Sequence, residues 1–339
     1  MAERIIVKGL NWIGDAVMSS PFFESLKKGN PKSSIVVLSR PWTAEIYKNN
    51  RYIDKVVEID DKKNKIEAIK FLKKEKFDAG ILLPKSLSAA LLFKLGNVKK
   101  ISGWSAQFRN FIISNPVSLT KNLKSIHQVY LHLELAYANS GVKLEKPEIF
   151  LDTSKSTDEQ IKKKYFNRKN VFYLGINPGA SFGPAKRWKP EYFADVINRL
   201  NSLDSNMTPV FFGSSNEISI SESIIKSLNK KIEYVNLAGA TTLQELFSAI
   251  KQCSYFLTND SGPMHIAAAL KIPLTAIFGS TNDKTTGPFS SNSIVVKSGA
   301  ECSPCISKKC RFNTYKCMND ITPDMVLGGI AGFLKNFKG

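Results

Sequence analysis

Apolar, strand-like runs alternate with helical patterns along almost the whole chain, and this alternation limits the fold more than any other feature of the sequence. In the first half the runs at 5–10, 34–39, 55–59, 79–84 and 99–103 read as strands, with helical stretches between them such as 22–28 and 65–74. Repeated strand–helix alternation predicts a parallel sheet with helices on both faces. The rhythm breaks at 144–158, where Pro147 and the polar run Thr153-Ser154-Lys155-Ser156-Thr157 read as a connection between domains. It restarts with strands predicted at 171–177, 209–213, 234–237, 255–258, 274–278 and 293–296. A length of 339 residues suits two domains. The expected fold class is therefore α/β, with two Rossmann-like, doubly wound parallel-sheet domains at 1–150 and 165–321. A last helix is predicted from Pro323 to about 337, with Thr322 as its cap and Val326, Ile330, Phe333, Leu334 and Phe337 on one face.

Hydrophobic residues make up 43% of the chain, enough for a core in each domain. No apolar run reaches the roughly 18 residues of a membrane span. The residues after Met1 lack an apolar secretory segment, so a cytosolic location is expected. The formal net charge of +19 points to a polyanionic partner: nucleic acid, an anionic membrane surface or a phosphorylated substrate. A lysine-rich solvated surface explains the same number. Of five cysteines, Cys253 stands in an apolar segment and reads as a core residue. Cys302, Cys305, Cys310 and Cys317 cluster, and in a cytosolic chain that pattern points to a metal such as zinc more than to disulfides. Thiols packed in a loop are the alternative.

In open parallel sheets, ligands bind at the carboxyl ends of the strands, and three loops at such ends carry polar residues. The first is Asn11-Trp12-Ile13-Gly14-Asp15, where Asp15 at a helix start serves either as a cap or as a general base. It lacks the G-x-G-x-x-G spacing of dinucleotide binding. The second, from Pro178-Gly179-Ala180-Ser181 to Lys186-Arg187-Trp188, offers backbone N–H groups and a lysine to a phosphate or diphosphate. It is not a P-loop. The third is Asn259-Asp260-Ser261-Gly262-Pro263-Met264-His265, in which the Ser261 and Gly262 N–H groups form another anion site and Asp260 is placed to accept sugar hydroxyls.

Together these loops resemble those of the ADP-heptose:lipopolysaccharide heptosyltransferase family, glycosyltransferase family 9. The segments that carry the resemblance are N-W-I-G-D at 11–15, N-P-G-A-S-F-G-P-A-K-R-W at 177–188 and T-N-D-S-G-P-M-H-I-A-A-A-L at 258–270, and the tail C-S-P-C at 302–305 with K-C-M at 316–318 is similar to the heptosyltransferase II branch. The resemblance implies a GT-B fold, with two domains facing across a cleft, an acceptor-binding first domain, a donor-binding second domain and a last helix, 322–339, packing back on the first. It implies inverting transfer of heptose from ADP-heptose to the first heptose of the lipopolysaccharide inner core. Asp15 is then the general base and Lys186 neutralises the leaving diphosphate. Ala180, Ser181, Ser261 and Gly262 help to hold the phosphates, Asp260 binds the heptose with His265 beside it, Glu217 holds the ribose, and Thr241 and Leu243 lie near the adenine. An inverting displacement needs one base and a stabilised leaving group, not the carboxylate pair of a glycosidase, so no cofactor is required for catalysis. The acceptor is an anionic glycolipid, and Lys99, Lys100, Arg109, Lys121 and Lys124 are expected to steer peripheral binding at the cytoplasmic face of the inner membrane. Alternatives are heptosyltransferase I or another acceptor within the family, and, outside it, a zinc-containing basic nucleic-acid-binding protein. The sequence has no nucleic-acid recognition motif, so no nucleic-acid partner is expected.

Overall fold

The computed structural model describes residues 3–106 and 108–337. It divides into two compact units, Met1–Asp152 and Thr153–Gly339. The first unit contains a six-stranded sheet of β1 (Arg4–Lys8), β2 (Ser34–Ser39), β3 (Lys55–Glu58), β4 (Ala79–Leu82), β5 (Lys100–Trp104) and β6 (Asn115–Val117). The second contains β7 (Phe172–Asn177), β8 (Met207–Phe211), β9 (Val235–Asn236), β10 (Tyr255–Asn259), β11 (Leu274–Phe278) and β12 (Ser293–Lys297). Every pairing is parallel.

The strand orders are β3-β2-β1-β4-β5-β6 and β12-β11-β10-β7-β8-β9. Counted within its own unit, each sheet runs 3-2-1-4-5-6, the doubly wound order. The order reverses between β1 and β4 and between β7 and β10, and in such sheets the crevice for a ligand opens at this switch point. Central strands are apolar because helices cover both faces: all six residues of β7 are buried, and so are all five of β10 and of β11.

Only β6 escapes the sequence pattern. It is three residues long and largely exposed, and it carries Pro116, which cannot donate to a ladder and therefore suits a sheet edge.

The final helix forms as predicted, Pro323–Phe337. Val326, Leu327 and Ile330 on this helix are buried in the core of the second unit, with Ile321 and Trp188. The indole Nε1 of Trp188 donates to the Ile321 carbonyl at 2.8 Å, fixing the chain just before this helix. The side chains of Leu334 and Phe337, and residues 338–339, lie outside the described residues. Among the described residues, no helix is long and apolar enough to cross a membrane.

In the first unit the helix Gln128–Ser140 buries His132 completely enough that desolvation, helped by Lys85 and His127, lowers its pKa from 6.5 to about 3. The unfolded chain takes up this proton near 6.5 while the folded chain resists it until about 3. Stability is therefore full above about pH 6.5 and falls as the pH drops through that value, by up to about 1.4 kcal/mol per pH unit. Denaturant titrations between pH 7 and 5 should show this slope, and His132→Leu should flatten it; an equally steep slope in the variant would refute the assignment.

Candidate functional site

The loops after β7 and β10 meet at the switch point of the second sheet. Asn177, the last residue of β7, donates from Nδ2 to Ser261 Oγ at 2.8 Å and to Thr258 Oγ1 at 3.3 Å. Asn259, the last residue of β10, donates from Nδ2 to the Pro178 carbonyl at 2.7 Å and accepts at Oδ1 from the Trp188 N–H at 3.2 Å. Two strand-end amides thus tie each loop to the other. Both are buried, so their polar atoms require such partners.

This lacing brings Lys186 to Asp260: Nζ lies 2.6 Å from Oδ2, and both side chains are largely buried. Thr281 donates a hydrogen bond to the same carboxylate oxygen. Lys186 also sits over the Phe182 ring, 4.8 Å from its centroid. The predicted phosphate ligand and the predicted sugar ligand are therefore direct partners. Removing either would leave a buried charge uncompensated.

The other predicted donor residues follow the carboxyl ends of β7, β8, β9 and β10. Ala180 is buried and its carbonyl accepts from Arg187 at 3.3 Å, while Ser181 is exposed. Ser261 precedes the helix Gly262–Ala269, which carries Gly262 at its first turn and buried His265 one turn on. The backbone N–H groups of that first turn are therefore at the crevice, as an anion site requires. Glu217 is buried, and Ser214 donates to its Oε2 from both N and Oγ, at 2.9 and 2.8 Å. This carboxylate lies against Gly179 so closely that a Cβ there would stand 2.3 Å from Glu217 Cδ. The turn that leads to Thr241 and Leu243 is joined to the β8 loop by the Gly239 N–H on the Gly213 carbonyl at 2.9 Å. Leu243 opens the helix Leu243–Lys251, whose cap is Thr242, reciprocated by Glu245.

Sequence reasoning missed Asn177, Asn259, Thr281 and Arg187. The signal was available for the two asparagines: each is a polar residue ending an otherwise apolar strand. Thr281 lies in a loop without a motif.

In the first unit Asp15 is the third residue of the short helix Ile13–Met18, whose cap position is taken by Trp12 without a side-chain hydrogen bond. Asp15 thus stands in the first turn, where a carboxylate meets the positive end of the helix. The loop before it is held by Tyr47, whose hydroxyl accepts the Leu10 N–H at 2.7 Å, and by Trp42, whose Nε1 donates to the Asn11 carbonyl at 2.9 Å. Beside it, buried Lys8 pairs with Asp61 at 3.0 Å, and Arg40 joins the same carboxylate at 2.9 Å. Burial pulls the Lys8 pKa below the usual lysine value, against the pull of Asp61.

Two expectations need correction. Arg109 is fully buried, not a surface cation: Nε donates to the Trp104 carbonyl at 2.9 Å and NH1 to the Pro84 and Ser86 carbonyls at 2.7 and 3.2 Å. Burial lowers its pKa to about 10. Lys99 is paired with Asp78 at 2.8 Å and Lys100 begins β5, so both lie at the amino end of the strands, away from the ligand crevice. The side chains of Lys121 and Lys124 lie outside the described residues.

The second correction concerns zinc. Cys302, Cys305, Cys310 and Cys317 line one cavity of about 400 Å³ with Ala185 and Ser280, and none is in a disulfide. Among the described residues, however, no three His, Cys, Asp or Glu side chains are grouped to hold a metal ion. The Tyr315 N–H lowers the pKa of Cys310, whereas burial raises that of Cys317, with the other three thiols adding to the rise. What the cysteine loop does structurally is brace the lysine loop. The Lys308 carbonyl accepts the Ala185 N–H at 3.2 Å. It also presses on Gly183, which at φ +151° takes a conformation that side chains rarely adopt.

The packing at Gly179 makes a direct prediction. Gly179→Ala forces its methyl into the Glu217 carboxylate and should lower stability by about 1–3 kcal/mol, the usual cost of overpacking. Thermal denaturation of the variant checks it; an unchanged midpoint would contradict the packing described.

Comparison with known proteins agrees with this geometry. Residues 66–316 match the family model described as glycosyltransferase family 9 (heptosyltransferase). The chain is 29% identical to lipooligosaccharide heptosyltransferase 2 of Campylobacter jejuni, over 98% of this chain and 99% of that one. It superposes on the structure of E. coli ADP-heptose lps heptosyltransferase II with a TM-score of 0.85 at 26% identity, covering 99% of this chain and all of the other. A family 9 glycosyl transferase from Veillonella parvula superposes with a TM-score of 0.86 at 22% identity, over 99% and 98% of the two chains, which bears on the fold alone. The fold is the GT-B fold that the resemblance implied.

Proposed function

The chain belongs to glycosyltransferase family 9, the heptosyltransferases, and from that premise we propose that it moves L-glycero-D-manno-heptose from ADP-heptose to the first heptose of the lipopolysaccharide inner core. The observation that carries this reading is a switch-point crevice built around Lys186 and Asp260, in a chain whose full length is similar to enzymes named heptosyltransferase 2. The proposed division of labour gives the acceptor to the first unit and the donor to the second.

In this reading the acceptor hydroxyl oxygen attacks the anomeric carbon as the bond from that carbon to the diphosphate oxygen breaks. Asp15 takes the hydroxyl proton and ADP leaves with the bond's electron pair. Lys186, the N–H groups of Ser261 and Gly262 and the loop at Ala180 and Ser181 stabilise the charge that develops on the diphosphate. Asp260, Lys186's partner in the structure, turns toward heptose hydroxyls when the diphosphate claims the ammonium group; His265 stands beside it. Glu217 holds the ribose, and Thr241 and Leu243 flank the adenine. A base and a held leaving group are both supplied by side chains and backbone. Zinc at the four cysteines is not carried into the proposal, because the thiols are not grouped around one ion position. Family membership likewise displaces the nucleic-acid-binding alternative. The acceptor is a lipid-anchored anion, so the enzyme works by peripheral contact at the cytoplasmic face of the inner membrane.

The test is ADP release from ADP-heptose with truncated core acceptors that end in one heptose. Asp15→Ala should lower turnover by about 10²–10⁴-fold, the usual contribution of a positioned base. Turnover that survives this substitution sinks the base assignment, and turnover only with acceptors lacking that heptose sinks the acceptor assignment.

A further inference from the structure

The segment between β5 and β6 holds two of the most exposed large apolar side chains of the described residues, Phe108 at 92% and Phe111 at 80%. They stand on either side of buried Arg109. Its three hydrogen bonds to the Trp104, Pro84 and Ser86 carbonyls fasten the segment to the carboxyl ends of β4 and β5. Phe108 is held at φ +54°, an uncommon conformation for a bulky residue, kept only where the surroundings enforce it. Ile112 and Ile113 are buried just beyond. The two phenyl rings are thus presented outward on a fixed base.

Charge identifies what they face. From Ala79 to Leu133, a stretch of 55 residues, the sequence has seven Lys and Arg residues and no Asp or Glu. The flanking residues Asp78 and Glu134 mark its limits. Arg109 is buried and Lys99 and Lys100 lie at the opposite edge of the sheet, but Lys85 follows the carboxyl end of β4 and Lys121 and Lys124 follow that of β6, so the segments around the rings carry cations and no carboxylate. Such an edge with projecting aromatic rings matches an anionic lipid surface, which attracts the cations and takes the rings into its interfacial layer. Because the first sheet is parallel throughout, the carboxyl ends of β4 and β5 lie at the same edge of the sheet as the loop that carries Asp15.

We propose that residues 108–114 form a membrane-docking finger that inserts Phe108 and Phe111 into an anionic bilayer and sets the Asp15 edge of the first unit against the surface that displays the acceptor. The proposal rests on the lipid-anchored acceptor of the function proposed above. It corrects the sequence expectation about which residues make this contact: Arg109 is the internal anchor of the finger, and the rings beside it are the insertion.

The test is sedimentation of the full-length protein with phosphatidylethanolamine–phosphatidylglycerol vesicles and with phosphatidylcholine vesicles at low salt, comparing wild type with Phe108→Ser/Phe111→Ser. Wild type should bind the anionic vesicles, and the double variant should bind them at least about tenfold more weakly, since two rings lose their burial. Turnover with a delipidated acceptor should be unchanged, which also shows that the variant is folded, while KM for the acceptor in vesicles should rise. Equal vesicle binding by both proteins, or no binding by wild type, overturns the finger. So does a wild-type dimer in sedimentation velocity that the double variant abolishes, because a second copy would then be what covers the rings. If neither acceptor form supports ADP release while vesicle binding still depends on the two phenylalanines, the finger stands and the proposed reaction fails.

Discussion

The ion pair between Lys186 and Asp260 is the point at which the second unit's fold becomes a site. It joins a loop that leaves β7 to a loop that leaves β10, neighbouring strands whose chains turn away to opposite sides of the sheet. That divergence opens the crevice, and the buried pair concentrates charge at its floor. An ammonium group taken out of water at this depth needs an anion close by. Asp260 meets that need, and a diphosphate would meet it with more charge. The pair therefore keeps Lys186 folded in place and ready to exchange one anion for another. Asn177 and Asn259 set the distance, because each locks one loop to the other across the switch point.

Much of this was legible in the sequence because parallel α/β folds write themselves plainly. Strands buried on both faces are continuous apolar runs, and their carboxyl ends are where polar residues first reappear. Five strands of the first sheet and all six of the second follow from that rule, as do the three loops. The pairing of Lys186 with Asp260 was not legible. They lie 74 positions apart, and only the order of the strands makes them neighbours. The glycines carried partial signals: Gly179 and Gly183 mark a shaped loop, but that they admit Glu217 and the Lys308 carbonyl is visible only in three dimensions.

Arg109 shows why charge is harder to read than pattern. In sequence it is one more cation in a basic region. In the structure three carbonyls at the carboxyl ends of β4 and β5 recruit its guanidinium, and the residues that remain outside are its aromatic neighbours. The cysteines are a similar case. Their spacing invited a metal, yet the loop they occupy is held by hydrogen bonds from Ser303 to Gly279, from Ile306 to Ser280 and from Ala185 to Lys308, and through these it supports the lysine loop. Spacing records which residues are near in the chain, while ligation depends on where the side chains converge.

The central claim is that Lys186 binds the donor diphosphate. Calorimetric titration of ADP into wild type and Lys186→Ala tests it most directly, without an acceptor or chemistry. Loss of a charge-assisted hydrogen bond of about 1.5–3 kcal/mol predicts an ADP dissociation constant raised by about tenfold to a hundredfold. A folded Lys186→Ala protein that binds ADP as tightly as wild type would contradict the account.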